Sequence, residues 1–239
     1  MRRIQQLIMI SLLACLPAVC MATSYIDDPD DSDTVDLDSY VGVGVRQNWF
    51  QAVDHWSPVI RDNALGFDVF VGGYINDCWS VDVGYDWTTD NPKSTYIQPG
   101  GGMLGVVNTT ATPFHVVGKF RIKAAHFDLN YFFPPKRMPI SGIVSVGIAI
   151  VKSAVELAWT HGVLQSAEVL FPVQGKTKAY PRVGVGVQGM FSEDYGFRAM
   201  LRWENTAKIR AHFGAANIPD FKKITHNGAS LEIALLFKV

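Results

Sequence analysis

Cysteine is scarce in this chain. Three residues in 239, Cys15, Cys20 and Cys78, are too few for a disulfide framework, and no CxxC or Cys/His spacing points to zinc. Charge is scarce too: 18% of residues are charged and the net charge is −1, which excludes a strongly basic nucleic-acid binder. No run of 18 apolar residues occurs beyond the first 22 positions, so a spanning helix is not expected in the rest of the chain. Coiled-coil heptads, collagen triplets and tandem repeats are missing as well. What is plentiful is apolar residue, at 48%, with 21 glycines and 14 phenylalanines, a composition that argues against disorder.

Residues 1–22 read as an export signal. Arg2 and Arg3 give a positive start, Leu7 to Leu16 an apolar run, and Cys20-Met21-Ala22 a small-x-small cleavage site. The alternative is a lipoprotein box ending at an acylated Cys15. Cleavage after Ala22 would leave Cys78 as a lone thiol, expected to be a small buried residue. Residues 23–38 hold seven aspartates and no base, and they lack the glycine and closing glutamate of a calcium loop. They are predicted to be a flexible, self-repelling periplasmic leader. From residue 39 onward 19 bases face 15 acids.

Beyond that leader the pattern becomes one of period two. Trp79, Val81, Val83, Tyr85 and Trp87 fall on one face of a strand, and Ser80, Asp82, Gly84 and Asp86 on the other. Tyr195 to Glu204 repeats it, with Phe197, Ala199, Leu201 and Trp203 opposite Arg198, Met200, Arg202 and Glu204. Six further segments fit: 40–50, 65–75, 120–133, 143–151, 179–191 and 228–239. Strands of about ten residues are long enough to cross a hydrocarbon layer when tilted. Their connections alternate strictly between short and long, as in an up-and-down barrel with short periplasmic turns and long extracellular loops. Tyr40, Tyr74, Trp79, Tyr131, Phe133, Phe191, Tyr195, Phe197 and Phe237 gather near the short-turn ends, and Trp49, Tyr85, Trp87 and Trp203 near the other. Two such bands are what interfacial anchoring predicts. The fold class is therefore all-β: an eight-stranded antiparallel transmembrane barrel over residues 39–239.

Several segments carry a family likeness. Tyr40-Val41-Gly42-Val43-Gly44-Val45, Val71-Gly72-Gly73-Tyr74-Ile75-Asn76, His126 to Pro134, Arg182 to Gln188 and Phe197 to Glu204 resemble the outer membrane protein A/opacity-type eight-stranded β-barrel family of Gram-negative bacteria. The likeness implies an outer-membrane location and no catalytic signature. Val239 stands where the family usually ends in Phe, and Ile140-Ser141-Gly142 replaces a usual Pro-Tyr opening. No peptidoglycan-binding segment follows the last strand, so a cell-wall tether is not expected.

Three groups of residues are candidates for function. Arg46, Asp68, Asp82, Asp86, His126, Asp128, Arg182, Arg198, Arg202, Glu204 and Glu232 are predicted to face the lumen, where acids and bases should pair into a plug or, alternatively, a switchable ion path. Outer basic residues Lys93, Lys119, Arg121, Lys123, Lys152, Lys176, Lys178, Lys208, Arg210, Lys222 and Lys223 are candidates for lipopolysaccharide phosphates or an extracellular ligand. The apolar stretch Ser153 to Phe171 is expected to form a short helix over the mouth or a contact surface. His126 with Asp128, His226 with Ser230, and His161 are the candidates for catalysis. His226 and Ser230 stand too far apart along one strand for proton transfer, and no nucleophile accompanies His126. Neither enzyme activity nor a cofactor is expected. The predicted role is a monomeric envelope protein with surface loops for adhesion or ligand binding, in contact with lipid, lipopolysaccharide and an extracellular or host-cell ligand. The alternative is a narrow channel for small or apolar solutes, resembling the outer membrane protein W group.

Overall fold

The computed structural model describes residues 39–52, 57–103, 106–133, 140–161, 168–174, 177–192, 194–204 and 225–239. The export signal and the acidic leader lie outside them. The strands are β1 Ser39–Ala52, β2 Asn63–Asn76, β3 Trp79–Thr88, β4 Lys93–Ile97, β5 Gly102–Met103, β6 Val106–Val107, β7 Phe114–Phe133, β8 Ile140–His161, β9 Glu168–Gln174, β10 Lys178–Met190, β11 Tyr195–Glu204 and β12 Thr225–Lys238. Eight of these close a ring in the order β1, β2, β3, β7, β8, β10, β11, β12, each antiparallel to its neighbours. Val43 pairs with Val69 on one side and with Leu235 on the other. Closure satisfies every wall strand's backbone inside the protein, which hydrocarbon, offering no hydrogen bonds, demands.

Alternation sets what each face meets. On β1, Val43, Val45 and Trp49 are exposed outward, while Tyr40, Arg46 and Phe50 are buried inward. The same inversion runs round the ring, with Val83, Phe127, Ile148, Val185, Leu201 and Ile233 exposed. The protein is apolar where it is exposed and charged where it is buried, the reverse of a water-soluble barrel. Short turns join β2 to β3, β7 to β8 and β10 to β11. In the first, Asn76 Oδ1 accepts hydrogen bonds from the backbone N–H groups of Cys78 (2.9 Å) and Trp79 (3.0 Å), which fixes a tight reversal.

The structure corrects four expectations. The described residues of Ser153 to Phe171 are strand: β8 continues to His161, and β9 pairs back along β8. Val155 and Leu157 take the inward face of this strand and are buried beside Val116 and Phe120. β7 likewise begins at Phe114 rather than Phe120, and β4 pairs with this added length. β7 and β8 therefore rise together well beyond the other wall strands.

The second correction concerns Tyr40 and Tyr74, which belong to the lumen and not to the interfacial band: Tyr40 packs on Phe70, and Tyr74 on Phe132. Tyr40 lies six residues before Arg46, hence on the same face. Thirdly, Cys78 is buried, as expected, and in the full chain it is disulfide-bonded; the expected lone thiol applies only to a chain cleaved after Ala22, and Cys15 and Cys20 lie outside the described residues. Fourthly, Lys178 takes an inward position on β10.

Three layers fill the interior. The inner one, toward the short turns, is Tyr40, Phe70, Tyr74, Phe132, Ile143, Met200, Ala234 and Leu236. The middle one is ionic. The outer one is an apolar core of Phe50, Val59, Ile60, Ile97, Val116, Phe120, Ile122, Val151, Val155 and Leu157. A strap over residues 57–62 crosses this core. Lys93 Nζ donates to the Ser57 carbonyl, Ile60 bridges to Pro92, and Arg61 Nε donates to the Pro92 carbonyl at 2.9 Å. The strap presses on β7 at Gly118, where any Cβ would stand 2.2 Å from the Val59 carbonyl oxygen.

Candidate functional site

The middle layer is built by strand register. On β1 the inward positions after Gly42 and Gly44 bring Arg46 to mid-height; on β11 they bring Arg198 and Arg202, and on β10 Arg182. The carboxylates come from β2 (Asp68), β3 (Asp82, Asp86), β7 (Asp128), β11 (Glu204) and β12 (Glu232), and every one of these side chains is buried. All eleven residues predicted to face the lumen are buried there, Asp68 and His126 among them.

Wall glycines make the room. A Cβ on Gly147 would fall 2.0 Å from Asp128 Oδ1, and one on Gly84 2.5 Å from His126 Nε2. The repeated Val-Gly pairs are thus the small positions beside large lumen side chains.

Each arginine has its own acids. Arg46 reaches Asp86 at 2.6 Å and also bonds Glu204. Arg202 holds Glu232 at 2.9 Å and Asp128 at 3.0 Å. Arg198 holds Asp82 at 2.5 Å, donates to the Tyr40 hydroxyl and to Gln188 Oε1 at 2.8 Å each, and lies 4.8 Å from the Phe70 ring centre. Asp82 also accepts from Asn130 Nδ2 at 2.8 Å and from the Tyr40 hydroxyl. Arg182 differs. It stands 3.4 Å from Asp128, 3.5 Å from Glu204 and 3.7 Å from Asp86, yet its guanidinium makes no hydrogen bond among the described residues.

His126 Nε2 lies 3.0 Å from Asp68 Oδ1, while Nδ1 lies 3.2 Å from Asp128 Oδ2 without hydrogen-bond alignment. Asp68, Asp86 and His126 bring their ligand-type atoms within 4.8 Å of one another. Those atoms already engage Arg46 and each other, so the grouping reads as part of the ionic network. Tyr40, Tyr74, Asn130 and Gln188 complete the network with Ser80, which the alternation already placed beside Asp82; for the other four, period-two spacing from Arg46, Asp68, Asp128 and Arg182 was the available signal.

The outer rim is basic. Lys119, Arg121 and Lys123 alternate outward on β7, and Lys152 does so on β8. Arg121 bonds both Asp90 and Glu156. Hydrogen bonds from Arg121 hold the Asp90 carboxyl below the usual carboxylate range. Lys178 does not face lipid. It shares the inward-facing register of Tyr180 and Arg182, at the barrel mouth, because Ala179 and Pro181 take the outward positions. Lys176, Lys208, Arg210, Lys222 and Lys223 lie outside the described residues, as do the side chains of His161 and His226.

The OmpA-like transmembrane domain family matches residues 34–211. The chain belongs to this family. Its match ends before β12, although β12 pairs with both β1 and β11 and completes the ring. No curated protein sequence matches the chain. Among solved structures, the Neisserial surface protein A is 15% identical, covering 84% of this chain and 97% of its own, with a TM-score of 0.48. Ail, the attachment invasion locus protein of Yersinia pestis, solved with the heparin analogue sucrose octasulfate, is 11% identical over 85% of this chain and 99% of its own, with a TM-score of 0.45. A major outer membrane protein of Thermus thermophilus is 10% identical over 84% and 99%, with a TM-score of 0.46. Family membership and the lipid-ready exterior place the chain in the bacterial outer membrane, with short turns in the periplasm and long connections outside.

Proposed function

We propose that this protein is a closed barrel that stabilises the outer membrane and presents an extracellular extension for adhesion or ligand binding, rather than a pore. The filled lumen carries this reading. The ionic network and the aromatic residues Tyr40, Phe70, Tyr74 and Phe132 interleave toward the short turns, and an apolar core sealed by the strap at Val59 and Ile60 closes the outer end. An eight-stranded barrel is just wide enough for its own side chains to fill. Outside, β7 and β8 carry the core beyond the lipid, a rigid stem on which the long connections stand. The signal over residues 1–22, an acidic periplasmic leader over 23–38 and a monomeric state belong to the same proposal.

A second reading, a narrow gated channel, is favoured by one observation. Arg182 has three carboxylates at ion-pair distance and is hydrogen-bonded to none of them, so it can change partner at small cost. Planar-bilayer recording separates the two. A closed barrel gives no steady single-channel openings; regular openings abolished by Arg182→Met would replace the plug with the channel.

A further inference from the structure

Lys123 and Lys152 face each other directly across β7 and β8. Side chains at directly opposed antiparallel positions start about 4.5–5.5 Å apart, and like charges placed so repel. Higher on the same two strands the charge is balanced: Lys119 stands opposite Glu156, and Arg121 is bonded to Asp90 and Glu156. Lys123 and Lys152 have no ion-pair or hydrogen-bond partner among the described residues, and both are exposed. An uncompensated cationic pair just below the matched group Lys119, Arg121, Asp90 and Glu156 points to an anion supplied from outside.

Height on the barrel says which anion. Outward residues of β7 below Lys123 are Ala125, Phe127, Leu129, Tyr131 and Phe133; those of β8 below Lys152 run from Ile150 down to Ile140. Both strands change from apolar to cationic at the same level. Ten residues at about 3.3 Å each make about 33 Å along the strand, or about 25 Å of height after a 40° tilt, which is the apolar band of an outer-membrane barrel. Trp87, paired with Lys123, marks the interface at that level. The pair thus sits where hydrocarbon gives way to headgroups, on the extracellular side.

From this we infer that Lys123 and Lys152 form a clamp for one phosphate monoester of an outer-leaflet glycolipid, the lipid A headgroup. Two ammonium groups converging on a dianionic phosphate make charge-assisted hydrogen bonds and relieve their own repulsion. The inference rests on the reading of the outer rim as facing lipopolysaccharide, and it narrows that reading to two residues and one chemical group.

The test uses the full chain refolded in detergent micelles. Binding of diphosphoryl, monophosphoryl and dephosphorylated lipid A is measured by native mass spectrometry for wild type, K123Q/K152Q and the control K238Q, at the short-turn end of β12. Two lost charge-assisted contacts should weaken diphosphoryl lipid A about tenfold or more in the double variant. K238Q should change it by less than about twofold, because Lys238 stands at the opposite end of the barrel, beside Tyr40. Wild type should lose a similar factor on full dephosphorylation, and inorganic phosphate at millimolar concentration should not displace the lipid. Equal binding of the phosphorylated and dephosphorylated lipids, an unchanged double variant, or displacement by inorganic phosphate alone would each overturn the clamp. Heat-modifiable gel migration of every variant shows whether the barrel itself has formed, so loss of lipid binding is read separately from loss of the barrel. A folded barrel that fails only the lipid assay sinks the clamp and leaves the envelope role standing.

Discussion

Replacing Arg198 by leucine strands a carboxylate in the wall of the barrel. Asp82 would keep its charge and its burial while losing the cation 2.5 Å away. Breaking a buried pair from one side typically costs about 3–5 kcal/mol. Asp82 keeps two donors, the Tyr40 hydroxyl and Asn130 Nδ2, which places the cost at the lower end. About 3 kcal/mol is a factor of about 150 in the folding equilibrium. Asp82→Leu should cost about as much, since Arg198 keeps Gln188 and the Tyr40 hydroxyl. The double variant removes both desolvated charges and should lie within about 1 kcal/mol of wild type, because apolar replacement of a whole buried pair is often neutral or stabilising. Urea unfolding in lipid vesicles, followed by tryptophan fluorescence and by heat-modifiable migration, measures all four proteins. A single variant within about 1 kcal/mol of wild type, or a double variant as damaged as the two singles summed, would refute the reasoning.

Three further outcomes follow from other parts of the molecule. Gly147→Ala should abolish or severely weaken folding, since its Cβ would stand 2.0 Å from Asp128 Oδ1 and 2.3 Å from the Phe127 carbonyl, while Gly73→Ala, with nothing within 4 Å, should be tolerated; equal gel-shift fractions for the two would refute the packing argument. Val83→Arg should cost about 2–4 kcal/mol in bilayer unfolding although Val83 is 58% exposed, because its surroundings are hydrocarbon; a neutral result would mean that this face meets water. Hydrogen bonds from Arg121 hold the Asp90 carboxyl below its ordinary value, so the pair contributes above the ordinary aspartate pKa of about 3.9 and loses that contribution as the pH falls through the lowered folded value. With the side chains 38% and 40% exposed, the contribution should stay below about 0.5 kcal/mol, and a loss above about 1 kcal/mol for Asp90→Asn at pH 7 would contradict it.

The wall was legible in the sequence because lipid outside and charge inside impose one period on every strand. Trp79 to Trp87 and Tyr195 to Glu204 state it without interruption, and the same counting placed Arg46, Arg198 and Glu232 inside. Counting two at a time from Arg46 also reaches Tyr40, but there aromatic chemistry argued for an interface and prevailed wrongly. The β7–β8 extension was hidden because Lys152 and Glu156 break the apolar face at the height where lipid ends, although the alternation itself continues through Val155 and Leu157. Val59 and Ile60 gave no signal at all: a pair of apolar residues beside Ser57-Pro58 is indistinguishable from an ordinary loop until Gly118 is brought beneath it. Nor could local pattern choose partners such as Arg198 with Asp82, 116 residues apart, since any inward acid would have served.

The ring has no seam that can be closed early. β1 waits for a strand that is nearly 190 residues later in the chain, and the register from Tyr40↔Lys238 to Phe50↔Gly228 forms only when that strand arrives. Until then two raw edges, on β1 and β11, would confront a medium that cannot satisfy them. Delivery into the bilayer must therefore be a single concerted event or be chaperoned throughout, and a chain cut anywhere before residue 225 should be cleared as an aggregate rather than persist as a half-built wall.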